Sequence, residues 1–220
     1  MRKVLISTVA VLSVMLLGSG CATNRGILDV RVPEIQNPVS GPVVRIVRVT
    51  DKRVFEEAPR SPSIPSLKGH EINDSAITRR AIARKRNGYG KAIGDILLPE
   101  GRTVEALVRE ALAKSFREAG CRVVEDTTGL TDTVIPIEAD IDQFWSWMTP
   151  GFWALSLEFE TKVTIKGGVD PFKSGELVRG YVELHTQAAG TKAWMNTINK
   201  GMDVFVAEVK KRLQSAKPGQ

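Results

Sequence analysis

Two cysteines and two histidines in 220 residues are too few for a disulfide framework or for a zinc site of ordinary Cys/His spacing. His-x-x-x-His and Cys-x-x-Cys pairs are both missing. His70 stands in a Pro/Gly-bounded loop, and His185 falls in a strand pattern. There is no Gly-x-Ser-x-Gly elbow. The Gly-rich stretch Asn87-Gly88-Tyr89-Gly90 reads as a turn, because it lacks the Gly-Lys-Ser/Thr ending that holds a phosphate and its metal. A lone thiol at Cys121, just past a helix end, reads as a small buried hydrophobe. The residues therefore offer no catalytic constellation, metal site or cofactor motif, and the expectation is a protein that is not an enzyme. A hydrolase remains the remote alternative.

A hydrophobic run of membrane-spanning length is also missing. Val4 to Leu17 is the longest apolar stretch, short of the roughly 20 residues a bilayer requires. It follows Arg2 and Lys3 and ends in the small residues Gly18, Ser19 and Gly20 before Cys21. That order is the charged, apolar and small-residue pattern of an export signal. The net charge of +6 is moderate and falls once Arg2 and Lys3 are removed, so charge alone selects no partner. Composition is otherwise ordinary, 42% hydrophobic and 25% charged with 19 Gly and 11 Pro, which excludes a disordered or collagenous chain.

Leu16-Leu17-Gly18-Ser19-Gly20-Cys21 resembles the lipobox of bacterial lipoproteins, with Gly18 where that family usually has Leu. The resemblance implies acylation of Cys21, and the following residue, Ala22 rather than Asp, implies the periplasmic face of the outer membrane. Two or more acyl chains hold a protein stably, because each buried methylene contributes about 0.8 kcal/mol. Residues 1–20 are then the signal peptide and 21–42 a lipidated, flexible tether, with at most one short strand around Ile27 to Val32. Residues 43–213 form one domain and 214–220 a disordered tail. Fully extended, a tether of that length would reach on the order of 65 Å.

Within the domain, Val43 to Thr50 is rich in β-branched residues and reads as the first core strand. The segment to Leu67, with Pro59, Pro62 and Pro65, reads as an exposed loop or edge. Ala76 to Lys91 carries Arg79, Arg80, Arg84, Lys85 and Arg86 without an acidic residue. It is either a solvated irregular element or a contact for anionic ligands such as lipid headgroups or peptidoglycan. Export and the lack of interleaved aromatics argue against nucleic acid.

Thr103 opens the clearest amphipathic helix, with Val104, Leu107, Val108, Ala111, Leu112 and Phe116 on one face and Gly120 as its stop. A short strand from Cys121 follows. Val134 to Gln143, Leu155 to Ile165 and Glu176 to Thr186 read as consecutive antiparallel strands, and Thr191 to Leu213 as a closing helix. Glu138, Asp140 and Asp142 share one outward face, the default for a half-buried strand. The expected fold class is α+β, a single mixed or antiparallel sheet of about four to five strands packed with two main helices.

The lipobox, the turn Asp51-Lys52-Arg53, the helix running into Cys121-Arg122-Val123-Val124 and the two long strands before a C-terminal helix together resemble the YajG-type family of uncharacterised bacterial lipoproteins. They resemble more loosely envelope lipoproteins with a TolB N-terminal or penicillin-binding-protein-activator type of domain. The resemblance implies a non-enzymatic envelope role and supplies no catalytic residues.

The most unusual composition lies between Phe144 and Trp153, which holds three of the four Trp around Pro150-Gly151. If the flanking strands form a hairpin, Trp145, Trp147, Met148, Phe152 and Trp153 are candidates for a partner- or membrane-contacting tip. The competing reading buries Phe144, Trp145 and Phe152 beneath the closing helix. Function is expected to be partner binding, as an accessory factor in cell-envelope assembly or maintenance. The partners are the membrane through acylated Cys21 and an envelope protein, with a lipid- or glycan-binding module as the alternative.

Overall fold

A computed structural model describes residues 25–129 and 131–216. Eight strands form one sheet: β1 (Gly26–Ile27), β2 (Val43–Asp51), β3 (Ala81–Arg86), β4 (Ala92–Leu97), β5 (Arg122–Val123), β6 (Val134–Pro150), β7 (Leu155–Gly167) and β8 (Glu176–Thr186). Three α-helices accompany them: α1 (Ser75–Thr78), α2 (Val104–Glu118) and α3 (Thr191–Ser215). The fold is thus mixed α/β, and the expected four to five strands understate the sheet.

β6 is its spine. Along one edge it pairs antiparallel with β7, which pairs antiparallel with β8. Along its other edge the first half of β6 runs parallel to β2 and the second half touches β3 in parallel at Ser146 and Ala83. β3 pairs antiparallel with β4, and β4 parallel with β1. The three consecutive strands of the C-terminal half occur where their alternation places them. β6 continues past Gln143 because Phe144, Trp145 and Trp147 are themselves buried on the sheet.

A bulge between Ile141 and Gln143 shifts the alternation of β6 by one residue. Before it, Ile137, Ala139 and Ile141 face the helices; after it, Phe144 does so, and Trp145 and Trp147 turn to the opposite face. α2 and α3 cover the first face. Thr103 caps α2 by accepting from the Ala106 amide at 3.2 Å, and Gly120 follows its end with a positive φ of 89°. α3 approaches the sheet closely at Gly201, where a Cβ would meet Phe159 Cδ1 at 2.1 Å.

The opposite face is covered by the proline-containing segment, which corrects the expectation of an exposed loop. Pro65, Ser66 and Leu67 are buried, and a bridge joins Glu56 to Ser66. Leu67 joins Ala81, Leu97, Trp145 and Trp147 in a second core, with Phe55, Ile72 and Ile77 packed on it. Proline removes ladder donors but does not prevent a strap from lying across a sheet.

Two further boundaries move. Ala81, Ile82 and Ala83 are fully buried in an interior strand, so the basic stretch is not an irregular solvated element. Leu28 and Val30 belong to the main core, Asn37 bonds the backbone of Val123 at both its amide and its carbonyl, and Arg25 pairs with Glu71 and Asp95. The expected tether is therefore folded onto the domain from Arg25 onward. Cys21 and the signal segment lie outside the described residues.

Candidate functional site

The basic residues singled out in the sequence do not form one surface. Arg79 pairs with Glu105 at 2.7 Å, and Arg80 donates to the Leu98 carbonyl at 3.0 Å. Arg84 is buried with its guanidinium 3.8 Å from Asp95. Alternation along β3 turns Lys85 away from Arg84 and Arg86, and Lys85 and Arg86 are both among the residues lining an apolar groove of about 660 Å³.

Backbone topology builds that groove. Because β3 and β6 are parallel at Ala83 and Ser146, the turn after Arg86 and the turn after Pro150 lie at the same end of the sheet. Leu155 pairs with Thr186, so the loop into α3 is there as well. β1 runs parallel to β4, so the N-terminal end of β1 is its end nearer this one. Between these segments the groove is walled by Ile27, Ile93, Met148, Leu155 and Trp194. Trp194 is held in place by a 3.0 Å bond from its Nε1 to the Ala189 carbonyl.

Electrostatics at the mouth favour an anion. Arg86 donates to the Gly90 carbonyl and to Ser66 Oγ, but its buried Nε has no hydrogen-bond partner within the protein. Burial, and after it the charge of Arg84, lower the Arg86 pKa from the ordinary guanidinium value. A negative charge near this guanidinium would offset the repulsion from Arg84. Lys85 passes over Gly26, where a methyl group would stand 3.3 Å from Nζ. The volume lies within the range of small-ligand sites, about 300–1,000 Å³.

The aromatic candidates divide. Trp145 is fully buried, with its Nε1 donating to the Pro62 carbonyl at 3.2 Å and its ring edge-on to Phe55. Trp147 is buried against Tyr181. Neither is available to a partner, because the strap covers the face to which the bulge turns them. Met148 is half-buried in the groove wall. Phe152 and Trp153 are 89% and 84% exposed, in edge-to-face contact at 4.7 Å in the turn between β6 and β7. Phe152 thus does not pack beneath the closing helix.

Glu138 and Asp140 are occupied by Arg48 and Lys52, each at 2.6 Å, and Asp142 accepts from Thr164. Among the described residues no group of three or more His, Cys, Asp or Glu side chains is gathered to hold a metal ion. Cys121 is buried. The groove itself was not legible in the sequence, since its lining comes from six separated segments. Only the apolar pattern of each was visible.

No protein-family model matches the chain, and no curated protein matches it. Among solved structures, a crystal structure of an uncharacterised protein is similar with a TM-score of 0.40 at 10% identity, covering 86% of this chain and 97% of that one. Protein XCC0632 from Xanthomonas campestris, of family model DUF330, is similar with a TM-score of 0.40 at 10% identity, covering 85% and 91%.

Proposed function

We propose that this chain is a lipoprotein of the bacterial envelope, anchored through Cys21 at the periplasmic face of the outer membrane. It acts without catalysis, as an accessory that binds the acyl chain of an anionic amphiphile. The observation that carries the reading is the apolar groove with the basic residues Lys85 and Arg86 in its lining. An apolar wall stabilises the acyl part through burial, and the guanidinium and ammonium groups select a negative head. The lipobox and the YajG-like pattern support the envelope assignment.

Distance supports the anchor. Arg25 is tied to the fold, and Cys21 stands only four residues before it in the sequence. An acyl anchor there would keep the groove close to its membrane, in contrast to a long free tether.

The test uses the chain from residue 22 onward, which contains every described residue, and cis-parinaric acid as a fluorescent long-chain carboxylate. Saturable binding is expected. Leu155→Glu, which puts a charge into the half-buried groove wall, should abolish it while leaving the thermal melt cooperative. Arg86→Gln should weaken it. Absence of saturable binding, or binding untouched by Leu155→Glu, would overturn the reading.

A further inference from the structure

We propose that the groove end of the molecule docks on an anionic bilayer surface, with Phe152 and Trp153 seated at the lipid–water boundary and Lys91 and Lys192 over the headgroups. Two observations converge on this end and neither concerns the occupant of the groove. Phe152 and Trp153 form the outermost part of a turn and are almost wholly exposed. Tyr89, 97% exposed, occupies the neighbouring turn between β3 and β4, which the parallel pairing of β3 with β6 carries to the same side. Aromatic rings of this kind are favoured where one part of the ring is apolar and the surroundings are wet.

Charge adds the sign. The segments 87–91, 151–154 and 187–192 contain Lys91 and Lys192 and no acidic residue, and both lysines are exposed. Basic groups near an anionic surface are attracted over about a Debye length. Two aromatic residues in a tight turn are a small patch beside the 1,200–2,000 Å² or so that a stable protein interface buries. They suit insertion into an interface already held nearby.

The experiment is sedimentation of the chain from residue 22 onward with phosphatidylethanolamine vesicles, with and without phosphatidylglycerol. Tryptophan emission is read with lipids brominated in the acyl chain, and Trp153→Phe gives the share that belongs to the other three tryptophans. Binding that requires phosphatidylglycerol and quenches emission is expected. The pair Phe152→Ser and Trp153→Ser should lower the partition coefficient about tenfold or more with an unchanged melt. Lys91→Glu with Lys192→Glu should remove the preference for phosphatidylglycerol. Met148→Gln, an uncharged change in the groove wall, should leave vesicle binding intact, which separates this result from failure of the groove reading. Absence of sedimentation, binding undiminished by the serine pair, or in-cell photo-crosslinks from position 153 to protein alone would overturn the docking.

Discussion

Arg25 and Asp95 face each other in a two-pronged ion pair, Nε to Oδ1 at 2.8 Å and Nη2 to Oδ2 at 3.0 Å. This pair holds the N-terminal end of β1 beside β4. Asp95 also stands opposite the buried Arg84, so the carboxylate serves one partly exposed guanidinium and one enclosed one.

The two partners should therefore not cost the same when removed. Asp95→Ala leaves Arg84 without its countercharge in a buried place and should destabilise by about 3 kcal/mol. Arg25→Ala removes a more exposed partner and should cost about 1 kcal/mol. Urea unfolding of both variants measures the difference, and equal losses would contradict it.

Arg53 makes the most extensively bonded side-chain knot in the fold. Its enclosed guanidinium pairs with Asp51 and donates to the carbonyls of Thr78, Ala81 and Phe144. These bonds join the end of β2 to the approach to β3 and to the spine β6. Arg53→Lys should cost nearly as much as Arg53→Ala, about 3 to 5 kcal/mol, because an ammonium cannot reproduce the planar fork. Rescue by lysine in a denaturation experiment would show that charge alone matters there.

Gly201 should respond against its helix propensity. Alanine is the better helix former by about 1 kcal/mol, yet a Cβ at this position would overlap the Phe159 ring. Gly201→Ala should therefore lower the melting temperature. Pairing it with Phe159→Leu should recover part of the loss, and a rise in melting temperature for Gly201→Ala alone would refute the close contact.

The tryptophans should separate by position. Trp145→Ala removes a fully buried ring and should destabilise by about 3 to 5 kcal/mol. Trp153→Ser, in the exposed turn, should change stability by less than about 0.5 kcal/mol. Acrylamide should quench Trp153 far more readily than Trp145, measured in variants that retain each in turn.

The Tyr181 hydroxyl is pushed up to about 12 by burial and by its 2.8 Å bond to Glu158. The folded state thus binds this proton more tightly than an unfolded chain does. The stabilisation is fully present below pH 10 or so and is lost as pH rises toward 12. Ultraviolet titration should show a late tyrosinate step that disappears in Tyr181→Phe and moves to lower pH in Glu158→Gln.

Local pattern determined a good part of this protein from sequence alone. β2, β7, β8, α2 and α3 were legible because each presents one apolar face at a strand or helix period, and Thr103 and Gly120 marked the ends of α2 by capping chemistry alone. Tertiary structure decided the rest. The phase of β6 depends on a bulge that appears only when its partner strand is in place, and that bulge sends Trp145 and Trp147 beneath a strap rather than into solvent. Ala81 to Ala83 are buried because strands distant in sequence enclose them, despite the arginines on either side. The groove exists because parallel and antiparallel pairing together bring six separate segments to one end of the sheet, a long-range relation that no single segment's periodicity encodes.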